Sequence, residues 1–454
     1  MSRLFKTLAL AIAGIVLLIV LSAAALLLFF DPNNYKDEIA ARVETATGRS
    51  LTIEGDLSFS VFPWLAVEMG KARLGNAAGF GDEPFISFDS AHLSVRLMPL
   101  LLRREIAVGT ASLESLRVNL AVNAEGATNW QDLAENEARD SDTQSGDSGS
   151  GLAGLDIAGV EIRDAEIRYR DLQAGTEYVL DNVSLDTGRI GLGEAFDVKA
   201  DFAFSAKPDN INGQLHVSSG ANIAQDFSSL ILADLVIDGD VNGIAAKSTE
   251  IGLAATRLHV DINGSRLEPT SFVLTGLGLT IDADLRSMSW ADDLNADAGI
   301  RVAQFSLREL LTLLDIEPPE TADPNALQKV AFSADAVLDA SSLSLHKMNM
   351  QLDDTTLSGE LSLPVGRDAP IRFDLAADRM DIDRYMAPAT DADAGSSAAA
   401  DDFEIPVDMI RGLNARGTLK LAEASLSGIR FTNLQLGLNV GGGKLQLKPL
   451  SAEL

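Results

Sequence analysis

The 454-residue sequence contains no cysteine, which excludes disulfides, thiol nucleophiles and thiolate metal sites. That absence fits an oxidising compartment. Histidine is nearly as scarce: His92, His216, His259 and His346 stand at least 40 positions apart and share no metal-ligand spacing. Each reads as an ordinary polar strand residue rather than a ligand or a base. Positive charge is short as well, with 36 Lys and Arg against 66 Asp and Glu and a net charge of -30. Phosphate binding needs clustered basic side chains, so nucleic acid is excluded as a partner. Broad electrostatic adhesion to anionic headgroups is disfavoured for the same reason, while a neutral apolar surface is still able to hold lipid tails. Aromatic residues make up only 6% of the chain, so its apolar content is mostly aliphatic.

What the sequence does have begins with one long apolar run. Residues 8–30, "LALAIAGIVLLIVLSAAALLLFF", carry no charge, follow Arg3 and Lys6, and precede Asp31. About 20 apolar residues span a bilayer core as a helix. A signal peptide has a shorter apolar region of about 7–15 residues ahead of a small-residue cleavage site. Here Leu26 to Phe30 continues the run past the small residues Ser22 to Ala25. The run is therefore predicted to be a retained, single-pass transmembrane helix. The positive-inside rule puts Arg3 and Lys6 in the cytoplasm and everything after Asp31 outside, in a bacterial envelope the periplasm.

After the run, a short helix is expected. Pro32 or Asn33 starts it, Ile39 and Val43 give it an apolar face, and Gly48 stops it. From Leu51 the period changes to two. Leu277, Leu279, Ile281, Ala283 and Leu285 alternate with small or polar residues, and the same pattern runs through Met348, Met350, Leu352 and through Ile371, Phe373, Leu375. Side chains on a strand alternate faces, so each such run has one greasy and one wet face. Short Gly, Asn and Asp clusters between the runs are hairpin turns. The architecture is mainly β, mostly antiparallel, with room for roughly thirty strands at about 10–14 residues per strand plus turn, and a sheet of that size has to twist, coil or close. A second helix is expected near 306–316, with Ser306 and Glu309 as a capping box, a stripe of Leu307, Leu310, Leu311 and Leu314 packing on the sheet, and Pro318 and Pro319 ending it. Two stretches have the composition of linkers: the acidic 135–151 and the similar 390–402.

Chemistry is thin. No G-x-S-x-G elbow occurs, and "GGGK", Gly441 to Lys444, lacks the remainder of a phosphate loop and reads as a hairpin turn. "DGDVNG", Asp238 to Gly243, matches the first half of a calcium loop, but the closing acid falls on Thr249, so a plain acidic turn is the better reading. Carboxylates in "MDIDRY", Met380 to Tyr385, and at Asp353 and Asp354 have no neighbour in the sequence to perturb them and are expected to be solvated. No catalytic residue, cofactor or metal site is assigned, and the chain is not expected to be an enzyme.

Several separated segments resemble the AsmA family. Asp31 to Phe85 carries the features that open it: DP after the apolar run, Thr47-Gly48-Arg49 before the first strand, then Gly55, Pro63, Trp64 and "LGNAAGFGDEPF". "LMPLLLRREI", "TNWQDL", "LRELLTLLDIEPPETADPNALQKV", "DIDRYMAP" and the segment from Gly412 to Leu454 continue the likeness, which covers nearly the whole chain. Family members usually continue through further β segments beyond this point.

The resemblance implies a protein held in the inner membrane by its N-terminal helix, with a periplasmic body tied to outer-membrane biogenesis and envelope lipid homeostasis. Larger relatives resemble bridge-like lipid-transfer proteins, in which a long curled sheet forms a groove lined with aliphatic side chains. The implied organisation is a cytoplasmic 1–7, a transmembrane 8–30, a helix-plus-strand segment 31–134, linker 135–151, an elongated β-groove segment 152–389, linker 390–402, and a last β segment 403–454. Alternation alone leaves a filled core and an open trough equally available; the resemblance favours the trough. Its candidate lining is Leu277, Leu279, Ile281, Leu285, Met348, Met350, Leu352, Ile371, Phe373 and Leu375, and the implied partners are phospholipid acyl chains and the inner membrane. The alternative is a scaffold that serves outer-membrane assembly machinery without carrying lipid.

Overall fold

Period-two alternation becomes strand along most of the described chain. The computed structural model describes residues 31–60, 64–96, 107–133, 156–366, 369–388, 414–441 and 444–453. The predicted span 8–30 and both linkers lie outside these residues, and among the described residues no helix is long and apolar enough to cross a membrane. The chain divides into two units, Met1–Phe227 and Ser228–Leu454.

The first unit opens as expected. The Asp31 carboxylate accepts a hydrogen bond from the Asn33 backbone N–H at 2.9 Å, and Pro32 stands in the first turn of a short 3-10 segment, Pro32–Tyr35. This leads into α1 (Lys36–Thr47), which Gly48 ends in the left-handed conformation at φ 72°. Short strands follow: β1 (Leu51–Ile53), β2 (Leu57–Ser60), β3 (Trp64–Met69), β4 (Ala72–Leu74), β5 (Ile86–Phe88) and β6 (Ser90–Arg96). Next come β7 (Ala107–Glu114), β8 (Arg117–Val122), β9 (Asp156–Asp171) and β10 (Thr176–Thr187). The unit closes with β11 (Ile190–Gly191), β12 (Ala195–Lys207) and β13 (Ile211–Ile223). Registered neighbours carry an apolar row across it: Leu51, Leu74, Ile86, Val118, Ile167, Leu180 and Phe204 face one another strand to strand.

In the second unit the strands are β14 (Ser229–Asn242), β15 (Thr249–Asp261), β16 (Arg266–Leu267), β17 (Thr270–Gly276), β18 (Leu279–Ser289) and β19 (Asn295–Phe305). After α2 (Leu307–Leu313) come β20 (Val330–Leu338), β21 (Ser342–Leu352), β22 (Thr355–Pro364) and β23 (Ile371–Asp381). The last three are β24 (Ala415–Leu426), β25 (Ile429–Gly441) and β26 (Lys444–Glu453), with Gly441 opposite Lys444 across the GGGK connection.

Among the described residues three strand pairs are parallel: β7 and β8 both run parallel to β9, and β23 runs parallel to β24; the other registered pairs are antiparallel. A parallel pair needs a connection of a dozen or more residues. The two stretches with linker composition fall in the connections that create these pairs, 123–155 and 382–414. Each therefore falls inside a unit; neither separates the two units.

Long strands slip by one residue where a non-glycine residue takes a positive φ. Asn182 (φ 51°), Lys347 (φ 48°) and Asn433 (φ 51°) each sit at a register shift in β10, β21 and β25. Such bulges bend the strand and raise its local twist, which is the means by which a large sheet coils. Asn adopts this conformation at low cost because its short amide bonds locally.

Candidate functional site

The second unit presents one apolar face across eleven strands. Register runs Ile237, Leu253, Leu274, Ile281, Val302, Phe332, Met350, Leu357, Ala377, Leu421 and Leu434, from β14 to β25. At about 4.8 Å per strand the row measures on the order of 50 Å along the sheet. A neighbouring row holds Phe272, Ala283, Ile300 and Ala334, and further along Gly359, Leu375, Leu419, Leu436 and Leu450. On the opposite face the same strands align Asp282, Arg301, Ser333, Asn349 and Ser358. That polar face also carries a charge cluster: Arg286 donates to Asp297 at 2.6 Å and to Asp335 at 2.8 Å, and Lys347 Nζ lies 3.0 Å from Asp335.

In a filled sandwich the large central side chains of such a face are covered by a second sheet. Here Ile281, Val302, Phe332, Met350 and Leu357 are only half-buried, and Leu274 is 37% exposed. The buried apolar residues among those described in the unit are seven alanines, Ala255, Ala326, Ala334, Ala336, Ala377, Ala415 and Ala424, with Leu235, Val241, Val330, Met348, Leu421 and Val440. One local core forms where Ala377, Leu421 and Ala424 pack with Leu357, Met380, Phe431 and Leu434, so the β22–β25 end of the face is partly closed by the protein itself.

Of the ten candidate lining residues, nine fall on strands of this face. Met348 is buried, while Leu279, Ile281, Leu285, Met350, Leu352, Ile371, Phe373 and Leu375 are half-buried. Leu277 does not belong to the strand. It takes φ 54° and, with Gly278 at φ 73°, forms the two-residue turn that joins β17 to β18, a turn whose twist requires positive φ at both positions. Among the row's members not on the candidate list are Val302 and Phe332; the signal available for them was the same alternation in "NADAGIRVAQF" and "VAFSADAVL". The stripe expected on α2, Leu307, Leu310, Leu311 and Leu314, is half-buried, whereas Leu313, outside the stripe, is 38% exposed. Ser306 Oγ accepts from the Glu309 N–H at 3.2 Å, as the capping box requires.

Two hydrogen-bonded knots hold segments far apart in sequence. In the first unit Arg49 is 2% exposed; its guanidinium donates to the Asn129 carbonyl at 2.6 Å and to both Asp132 oxygens, and it stacks 4.4 Å over the Phe85 ring. Asn129 in turn donates to Asn76 Oδ1 at 2.9 Å and to the Asn119 carbonyl at 2.8 Å. Partial burial pushes the Asp132 carboxyl up, and the Arg49 contact more than reverses this, leaving it below the usual carboxylate range. The Thr-Gly-Arg, "LGNAAGFGDEPF" and "TNWQDL" segments therefore meet at one point.

The second knot corrects the solvated reading of Asp353 and "MDIDRY". Asp353 is 3% exposed and accepts from the backbone N–H groups of Leu327, Gln328 and Lys329 and from the Tyr385 hydroxyl. Burial raises its carboxyl, but these donors outweigh burial and hold it below the ordinary value. Burial and the Asp353 carboxylate push the Tyr385 phenol up to about 12. Asp383 accepts from the Ser427 and Gly428 N–H groups, so it pins the turn between β24 and β25. Asp353 thus ties the 327–329 segment to Tyr385, and Asp383 ties the same "MDIDRY" segment to the turn between β24 and β25. Asp238 and Asp240, read as an acidic turn, lie instead on the exposed face of β14, and the turn begins at Gly243 with φ 89°. Among the described residues no cluster of three or more His, Asp or Glu is placed to hold a metal ion.

The model of the AsmA family matches residues 1–454. The chain belongs to the AsmA family. It is similar to Protein AsmA of Escherichia coli (strain K12), 26% identical over 125 residues, which is 28% of this chain and 19% of that protein. The chain thus aligns with less than a fifth of the length of that relative. No solved structure matches. Membership of the AsmA family points to an envelope-related function.

Proposed function

We propose that this AsmA-family protein is anchored in the bacterial inner membrane by residues 8–30, lies in the periplasm, and binds or conveys phospholipid acyl chains along the apolar face of β14–β25. The carrying observation is the row from Ile237 to Leu434, in which Ile281, Val302, Phe332, Met350 and Leu357 stay half-buried and only Ala377 and Leu421, at the β23–β24 end, are buried. Exposing a diacyl lipid with about 30 methylenes to water costs over 20 kcal/mol, at about 0.8 kcal/mol each. A carrier replaces that surface with continuous hydrocarbon, and half-covered aliphatic rows supply it. The polar opposite face keeps the sheet soluble, and no chemical step is required of the protein.

The scaffold reading predicts the same sheet with no lipid on it. The two are separated by lipid analysis of the purified full chain. Wild-type protein is expected to retain phospholipid. Ile281→Arg, which puts a charge in the middle of the row, is expected to lose most of it, and Thr280→Arg on the exposed opposite face to keep it. Equal lipid content in all three proteins, with folding intact, refutes the placement.

A further inference from the structure

A second apolar concavity lies in the first unit, and the face of β14–β25 does not include it. The 3-10 segment Pro32–Tyr35 and the start of α1 stand off from β2 and β3 and leave a cleft of about 400 Å³. Tyr35, Ile39, Leu57, Phe59, Val67 and Met69 line it. Among the described residues, apart from Ser58 and the Tyr35 hydroxyl, its lining is hydrocarbon. The volume falls in the range of about 300–1,000 Å³ typical of ligand sites.

The local sequence builds this cleft and holds it open. Asn33 pairs with both backbone groups of Leu57: its Nδ2 donates to the Leu57 carbonyl at 3.2 Å and its Oδ1 accepts from the Leu57 N–H at 2.9 Å. The carboxamide thus acts as a one-residue bridge that fixes the 3-10 segment against β2 and sets the width between them. Leu57 forms the buried floor at 5% exposure. On the walls Val67 is 46% exposed and Tyr35 45%, and Leu93, which faces Val67 from β6, is 50% exposed. An apolar cleft continuous with an exposed apolar patch is a place where a hydrophobic partner sits.

The position in the chain identifies that partner. The uncharged run 8–30 ends two residues before Pro32, and two residues of chain reach at most about 7 Å. If the run spans a bilayer, the cleft stands at the bilayer surface.

We propose that this cleft takes one acyl chain of a phospholipid from the bilayer that holds residues 8–30. The inference rests on the membrane anchoring proposed above and is independent of the face in Ser228–Leu454. The cleft seats a tail at the point where the sheet leaves the membrane.

The test uses the full chain reconstituted in vesicles of phosphatidylethanolamine and phosphatidylglycerol, with a small fraction of phosphatidylcholine carrying a diazirine at the end of one acyl chain. After flotation and irradiation, peptides are mapped by mass spectrometry. The expected result is label on the peptides holding Tyr35 to Ile39 and Phe59 to Met69. Val67→Glu is expected to lower that label at least fivefold. Val67→Ile keeps it, and both variants keep the wild-type circular dichroism melt. A parallel arm supplies the diazirine as a free fatty acid, and label in that arm alone overturns the proposal. A photo-reactive residue at Phe30 that crosslinks into the cleft overturns it as well, because the chain's own apolar run then fills the space. A chain that floats but carries no label there overturns this proposal alone; a chain that does not float overturns the anchoring and this proposal together.

Discussion

Replacing Asp353 with asparagine isolates the energetics of the knot that holds the turns of the second unit. The carboxylate has two oxygens and four donors: Oδ2 accepts from the Leu327 N–H at 2.7 Å and the Tyr385 hydroxyl at 3.1 Å, and Oδ1 accepts from the N–H groups of Gln328 at 3.0 Å and Lys329 at 3.1 Å. Asparagine replaces only one oxygen. Its amide nitrogen is tolerated on the Oδ2 side, where the Tyr385 hydroxyl can turn and accept, but the Leu327 N–H then faces another donor. One buried N–H left unpaired costs about 1–3 kcal/mol, and the bonds that remain lose their charge assistance. The expected loss is about 2–4 kcal/mol for Asp353→Asn, and about 3–5 kcal/mol for Asp353→Ala, which strands all three N–H groups.

The pH dependence follows from the direction of the Asp353 shift. Its carboxyl is held below the usual value of 3.8, so the folded state binds fewer protons there than the unfolded state. The stabilisation is complete above about 3.8 and is lost as pH falls through the lower folded value. Urea unfolding at pH 7 reads the loss, and hydrogen exchange in peptides covering 321–330 localises it. A difference below about 0.5 kcal/mol at pH 7, or one that persists undiminished at pH 2, refutes the assignment.

Two further outcomes follow from the first unit. Arg49→Lys loses the two-pronged contact with Asp132 and the stacking on Phe85, so limited proteolysis of that unit should accelerate, with a stability loss of about 2–4 kcal/mol; unchanged cleavage counts against the knot. Asn182→Val forces a β-branched residue to φ 51° and should cost about 1–2 kcal/mol, whereas Asn182→Gly stays within a few tenths; equal thermal midpoints for the two contradict the bulge.

Much of the β architecture was legible because period-two alternation is a direct imprint of a two-faced sheet, as in Ile371, Phe373 and Leu375. Legibility failed where one residue breaks the count. Leu343 and Leu345 have odd numbers and Met348 and Met350 even ones, yet all four share a face, because the bulge at His346 and Lys347 absorbs a residue. Leu277 continues the alternation in letters but takes the conformation that its two-residue turn demands. The parallel pairs were invisible, since nothing in β9 or β24 distinguishes a parallel from an antiparallel neighbour; the length of the linker-like connections was the only cue. The knots were hidden for a different reason. Arg49, Asp132, Asp353 and Tyr385 acquire partners 32 to 83 positions away, and local composition carries no record of such pairing. Half-coverage of the apolar rows depends on what faces them, which no single strand encodes.

The central claim is that the row through Ile281 touches hydrocarbon that is not protein. The most direct test places a photo-crosslinking residue at Ile281 and, separately, at Thr280, in the full chain expressed in a bacterial envelope, and analyses the adducts by mass spectrometry. The account predicts phospholipid adducts from position 281 and few or none from 280. Crosslinks from 281 that run only to the protein's own side chains, with no lipid adduct, contradict it.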